Sequence, residues 1–156
     1  MNNESFFNEI RNGNSLLVEE ALTKNPDLIN AKDQRGSTPL ILATYYNQEN
    51  IVSLLLEKGA KIDQKDSSGN TPLMGVCFKG FLPIAKKLIE KGANVNERNS
   101  MGASSLIYAA TFNREEIAKL LIEYGAKKDV KDARGNTALD HAKMQELPKS
   151  FLTLLE

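Results

Sequence analysis

Apolar positions along the chain come in paired clusters of two different kinds. In Pro39-Leu40-Ile41-Leu42-Ala43 they run almost without interruption, the pattern of a short helix enclosed on most sides. Soon after, Ile51-Val52-Ser53-Leu54-Leu55-Leu56-Glu57-Lys58 is apolar on one side and polar on the other, which predicts an amphipathic helix. Thr38-Pro39 is a start signal for the first of these: a hydroxyl N-cap, then a proline where no helical N–H is missed. Asn47 and Gly59 follow the two clusters, and both residue types tolerate the left-handed conformation that closes a helix. Before the pair lies Asp33-Gln34-Arg35-Gly36-Ser37, a turn whose glycine supplies a positive φ without steric cost. The predicted unit is therefore turn, inner helix, tight loop, outer helix.

This unit recurs every 33 residues. Gly36, Gly69, Gly102 and Gly135 keep the step, as do Gly59, Gly92 and Gly125. Leu40, Leu73, Leu106 and Leu139 form one column; Thr38, Thr71, Ser104 and Thr137 a second; Ile51, Ile84 and Ile117 a third; Leu55, Leu88, Leu121 and Leu154 a fourth. Outer helices are predicted over Ile51–Lys58, Ile84–Lys91 and Ile117–Tyr124, with Asn47, Gly80 and Asn113 in the loops before them. Residues 1–32 follow the frame more loosely, with Phe7, Val18 and Leu22 in the Leu40, Ile51 and Leu55 columns and Pro26-Asp27 replacing the Gly-Ala step. The units are 1–32, 33–65, 66–98, 99–131 and a short 132–156. The middles of the inner helices are small (Ala43-Thr44, Val76-Cys77, Ala109-Ala110), so neighbouring helices can approach closely. One helix pair cannot bury its own apolar faces, whereas a stack of pairs can. The fold class expected is an all-α solenoid, a single domain over 1–156, with cap-like first and last units that favour a monomer.

The motif Asp-x-x-Gly-x-Thr-Pro-Leu, then Ile-Val-x-Leu-Leu-Leu-x-x-Gly-Ala, stands in Asp33–Leu40 and Ile51–Ala60. It recurs in Asp66–Leu73 with Ile84–Ala93, and more loosely in Asn99–Leu106 with Ile117–Ala126. These residues resemble the ankyrin repeat over essentially the whole chain. The histidine that family carries after Thr-Pro-Leu, which ties turns together by hydrogen bonds, is replaced here by Ile41, Met74, Ile107 and Asp140. Ser104-Ser105 and Thr137-Ala138 replace Thr-Pro in the last two units, and Leu147–Leu155 resembles a shortened capping helix. The resemblance implies a non-catalytic scaffold that binds another protein on its concave side, through turn tips and the ends of the inner helices.

Composition narrows the chemistry further. Twenty basic residues balance 20 acidic ones, for a formal charge of zero; a general nucleic-acid binder needs a basic excess. With one cysteine and one histidine, neither soft metal sites nor Cys–His and Ser–His catalytic pairs have material to be built from. No phosphate-binding loop is present; no cofactor, metal or enzyme activity is expected. No apolar run approaches the roughly 20 residues of a membrane span. The start, Met1-Asn2-Asn3-Glu4-Ser5-Phe6-Phe7, lacks the basic and apolar regions of a signal peptide, so a cytoplasmic location is expected.

The concave columns supply the candidate partner-binding residues. At the ends of the inner helices lie Tyr45-Tyr46, Phe78-Lys79 and Thr111-Phe112. Exposed aromatics in a row are typical anchors of a protein interface; the competing reading is that they pack on one another to fill the groove between helices. Just before each turn stand Lys32, Lys65, Arg98 and Lys131, with Arg35, Met101 and Arg134 at the tips. One edge is therefore expected to be locally positive and to favour an acidic partner surface, although Asp33, Asp66 and Asp132 follow the basic column and oppose it. The candidate set is Arg35, Tyr45, Tyr46, Lys65, Phe78, Lys79, Arg98, Met101, Phe112 and Lys131. The alternative is binding of single-stranded nucleic acid or nucleotide, with Tyr45, Tyr46, Phe78 and Phe112 as stacking platforms. His141 and Cys77 read as packing residues. The pairs Asp63/Asp66 and Asp129/Asp132 read as turn formers without a calcium-loop spacing. Gly75 interrupts an inner helix and marks either a soft point or a close contact.

Overall fold

Thr38, Thr71, Ser104 and Thr137 all sit in extended backbone just outside a helix, and each hydroxyl accepts the N–H three residues on. The chain thereby opens its inner helices where the Thr-Pro signals, and their Ser-Ser and Thr-Ala substitutes, predict. In the computed structural model, which describes residues 2–156, α1 (Asn3–Arg11) and α2 (Ser15–Lys24) form the first unit, followed by a 3-10 turn over Pro26–Asn30. α3 (Pro39–Tyr45) pairs with α4 (Glu49–Glu57), α5 (Pro72–Lys79) with α6 (Leu82–Glu90), α7 (Ser105–Thr111) with α8 (Glu115–Glu123), and α9 (Ala138–Met144) with α10 (Lys149–Leu155). Asn47, Gly80 and Asn113 have φ of 57°, 82° and 58°, the left-handed closure expected of them. The architecture is an all-α repeat solenoid. Among the described residues no helix is long and apolar enough to cross a membrane.

The three repeated outer helices begin two residues earlier than their apolar pattern indicates, at Glu49, Leu82 and Glu115, and end one residue earlier. Their first turn faces away from the core and so adds nothing to the apolar stripe. Their N-cap residues Gln48, Phe81 and Arg114 make no side-chain cap bond, so no capping signal marks the start either.

Inner helices touch inner helices along the chain, α1 with α3, α3 with α5, α5 with α7 and α7 with α9. Outer helices do the same from α2 to α8. The small residues lie at these approaches: Ala43, Thr44, Val76, Cys77, Ala109 and Ala110 are fully buried. Thr44 satisfies its hydroxyl on the Ile41 carbonyl. Burial pushes the Cys77 thiol up to about 12, which keeps it protonated and unreactive. One core runs from Phe6 and Phe7 through Leu55, Leu88 and Leu121 to Phe151 and Leu155, with Phe7, Val18 and Leu22 buried in the register expected of the loose first unit.

A second connection joins the units at their turns. Ser67 N–H donates to the Arg35 carbonyl, Ser100 N–H to Ser68 and Ala133 N–H to Met101, at 2.9–3.1 Å. At the base of each turn one side-chain oxygen, from Asp33, Asp66, Asn99 or Asp132, accepts two backbone N–H groups. The turns therefore stack as a hydrogen-bonded ladder beside the helices.

Gly75 does not mark a close contact. A Cβ built there would meet only Tyr45 Cδ2 at 3.9 Å, an ordinary contact, and its φ is not positive. Gly75→Ala is therefore expected to stabilise the protein by about 1 kcal/mol, through helix propensity and a less flexible unfolded chain; chemical denaturation reads this directly, and a lower midpoint would contradict it.

Candidate partner-binding surface

The aromatic row forms because three inner helices end in register. Tyr45 closes α3 with Tyr46 as its cap, Phe78 lies in the last turn of α5, and Phe112 caps α7. Close packing of these helices brings the rings together. Tyr45 and Phe78 lie parallel with centroids 6.4 Å apart, and Phe78 meets Phe112 edge to face at 4.7 Å. Tyr46 meets Tyr45 at 5.6 Å, Tyr108 stacks near Phe112 at 6.0 Å, and the Lys79 ammonium sits 4.8 Å above the Tyr45 ring. The packing expected of the competing reading is present, and it does not seal the rings. The rings pack on one another, yet Tyr45, Tyr46, Phe78 and Phe112 each keep 36–44% of their surface open.

Met144, at the end of α9, extends the row and was missed. It stands in the column of Tyr45 and Phe78, is 59% exposed, and carries an adaptable thioether. Continuing the 33-residue step by one more unit would have found it. Met101 projects equally far from its turn tip.

The basic candidates divide. Arg35 and Lys131 are exposed at the turn edge. Lys65 and Arg98 instead reach across to the next unit. The Lys65 ammonium pairs with Glu97 at 3.0 Å and donates to the Arg98 carbonyl at 2.9 Å. Arg98 donates to the Gly102 carbonyl at 3.0 Å and to the Lys131 carbonyl. These two cations hold successive turns in place, so much of their hydrogen-bonding capacity is already engaged. The turn acids fold inward onto the backbone N–H groups, leaving the side chains of Asp33 and Asp132 only 15% and 11% exposed. Between the row and the turn edge at the N-terminal end runs an open groove of about 990 Å³, with Phe7, Ile41, Leu42, Tyr45 and Tyr46 among its lining residues.

Cross-unit ties at the loops also escaped the sequence reading. Gln48 Nε2 donates to the Arg11 carbonyl at 2.8 Å, and Arg114 Nη2 donates to the Phe78 carbonyl at 2.8 Å. Both belong to the column that opens the outer helices. The Arg114 guanidinium lies where a Cβ on Gly80 would fall, 2.8 Å from it, so the loop glycine makes room for the strap. The Phe78 backbone is thereby fixed under its ring.

Turn tying, which the missing family histidine left open, comes from one residue further on. Tyr108 Oη accepts from Asn99 and donates to Asn70, and His141 Nε2 meets Asp132 Oδ2 at 2.7 Å. Asp140 completes a capping box with Thr137. Among the described residues no cluster of three His, Cys, Asp or Glu is placed to hold a metal ion. At Asp132, partial burial raises the carboxyl, but the His141 bond and the N–H groups of Asn136 and Arg134 outweigh it and hold the group below its ordinary value. A depressed carboxyl stabilises the fold above the unfolded value, near 4, and loses that contribution as pH falls through the folded value. Asn99 already performs the turn role without a charge, so Asp132→Asn removes mainly the carboxylate–histidine contact. Its stability deficit against the parent is expected at pH 5 and should close as pH falls below the ordinary carboxylate range; thermal melts across that range would show a constant gap if the contact contributes nothing.

A family model for ankyrin repeats (3 copies) matches residues 7–99 and again 76–156. Such repeats in general mediate protein–protein interaction and are typically non-catalytic. With the turn ladder and the capped inner helices repeating in step, the chain belongs to the ankyrin-repeat family.

Proposed function

We propose that this protein is a binding module for another protein, which it holds on its concave face across the ends of α3, α5 and α7 and the neighbouring turn tips. The observation that carries the reading is the contiguous aromatic row, more than a third of each residue's surface open, on a packed stack of helices. Rigid aromatic anchors lose little conformational entropy on binding and dominate interface energetics. Met144 and Met101 widen the contact, and Arg35 and Lys131 form its charged rim. Lys65 and Arg98 support the turns from within the same edge.

Stacking of nucleic-acid bases draws less support. Base stacking needs free ring faces, and here a face of Tyr45 is met by the Lys79 ammonium at 4.8 Å, and Phe78 and Phe112 are engaged with each other edge to face. The test is site-specific photo-cross-linking in the native source, with a reactive phenylalanine analogue at Phe112 or at Lys86 on the outer side of α6. A discrete protein adduct from the first position and none from the second is expected. Adducts from the outer position alone would reject the concave face.

A further inference from the structure

We propose that the groove at the N-terminal end of the concave face takes a linear acidic segment of the partner protein, its apolar anchor on Tyr45 and Tyr46 and its carboxylates on Lys32 and Arg35. This rests on the concave-face reading above and deepens it.

The lining of the groove decides the chemistry. Its apolar lining comes from Phe7, Ile41, Leu42 and the two tyrosines. Its titratable groups are Arg11, Lys32 and Arg35 against Glu4, Asp33 and Asp66. Formally these cancel, but they are not equally free. Asp33 and Asp66 each hold two backbone N–H groups at 2.9 Å, and Asp33 also lies 3.8 Å from Arg11. Lys32 and Arg35 are exposed, and among the described residues neither side chain has a hydrogen bond or ion pair. The cations free to reach a ligand are thus Lys32 and Arg35 on the turn side, whereas Asp33 and Asp66 are held against the turn backbone and Glu4 stands on α1. A guanidinium is suited to bidentate contact with a carboxylate. A phosphate chain carries a charge at every nucleotide, more than two free cations can answer, so a peptide with a few well-placed acids is favoured over a nucleic acid.

Size agrees with an extended segment. The groove crosses from α1 over α3 to the turn at Asp66, about two helix-packing steps or roughly 20 Å. That accommodates about six extended residues at roughly 3.3 Å each. Its volume of about 990 Å³ lies at the top of the range for small-molecule sites, and it is open along its length as a peptide requires.

The test uses selection from a display library of random linear peptides on the full chain, followed by fluorescence polarisation with an enriched peptide. Enriched sequences are expected to carry Asp or Glu beside a large apolar residue. Binding should fall about tenfold or more in Lys32→Glu/Arg35→Glu with the thermal melt retained, and should weaken with salt. Enriched peptides without acids, or with binding indifferent to the charge reversal but lost in Tyr45→Ala/Tyr46→Ala, would overturn the acidic assignment while leaving the concave face standing. Enrichment insensitive to both pairs of substitutions, or no enrichment at all, would overturn the groove as a peptide site. Oligothymidylate binding as tightly and through the same residues would transfer the groove to nucleic acid and overturn the proposal.

Discussion

Gly69→Ala should lower stability by about 3 kcal/mol, whereas Gly135→Ala should cost only about 1 kcal/mol. The two glycines hold the same place in their turns, with φ of +79° and +83°. An alanine in the left-handed region is disfavoured by roughly 1–2 kcal/mol wherever it stands. The difference lies in what comes next along the stack. A Cβ on Gly69 would fall 2.9 Å from the backbone nitrogen of Ser100 and 3.2 Å from Cα of Asn99, whereas one on Gly135 would meet nothing within 4 Å. Backbone cannot swing aside as a flexible side chain does, so the turns based on Asp66 and Asn99 must separate, and the Ser100 N–H to Ser68 carbonyl bond at 3.0 Å is strained or lost. A penalty of that size corresponds to a melting temperature lower by about 10 °C in a chain of this length. Equal penalties at the two positions would mean that the turns do not stack and that the helices alone hold the solenoid together.

The frame of the fold was readable because it is written in residue types with few alternatives. Positive φ calls for glycine or asparagine, a helix start calls for a hydroxyl, and a crowded helix crossing calls for alanine or a similarly small side chain. Each of these falls in a column of the 33-residue step. The missed features belong to side chains whose partners lie in another unit and whose chemistry does not announce them. Gln48 and Arg114 share a column with Phe81, and only the folded loops show that the two polar members strap the unit before them. Lys65 and Arg98 share a basic column with Lys32 and Lys131, yet each of the former has a carbonyl of the following unit within reach. His141 and Tyr108 take over turn tying from one position along, because what matters is the reach to the turn base and not the family's own position. The aromatic row was legible as a set of positions; whether its rings were sealed or open depended on packing distances that no column records.

Truncating two of those rings is expected to have the largest effect on function. Tyr46→Ala combined with Phe112→Ala should abolish partner capture, a loss of about a thousandfold in affinity if each ring is an interface anchor at roughly 2 kcal/mol. The same change has a cost inside the free protein. It removes the Tyr45–Tyr46, Phe78–Phe112 and Tyr108–Phe112 ring pairs, each worth roughly 0.5–1.5 kcal/mol at most and less when partly exposed. A fall of a few degrees in melting temperature is therefore expected, with helical content intact. The two effects separate, because Tyr46 and Phe112 are partly exposed whereas core residues such as Leu88 and Leu121 are fully buried and left unchanged. Leucine at Tyr46 and Phe112 sharpens the comparison: it keeps apolar bulk in the groove but removes the flat faces and edges, so it should restore most of the melting temperature and little of the binding. A double alanine variant that unfolds, or one that melts normally and still captures the partner at parental affinity, would each remove the row from the interface, the first by making it core and the second by making it idle.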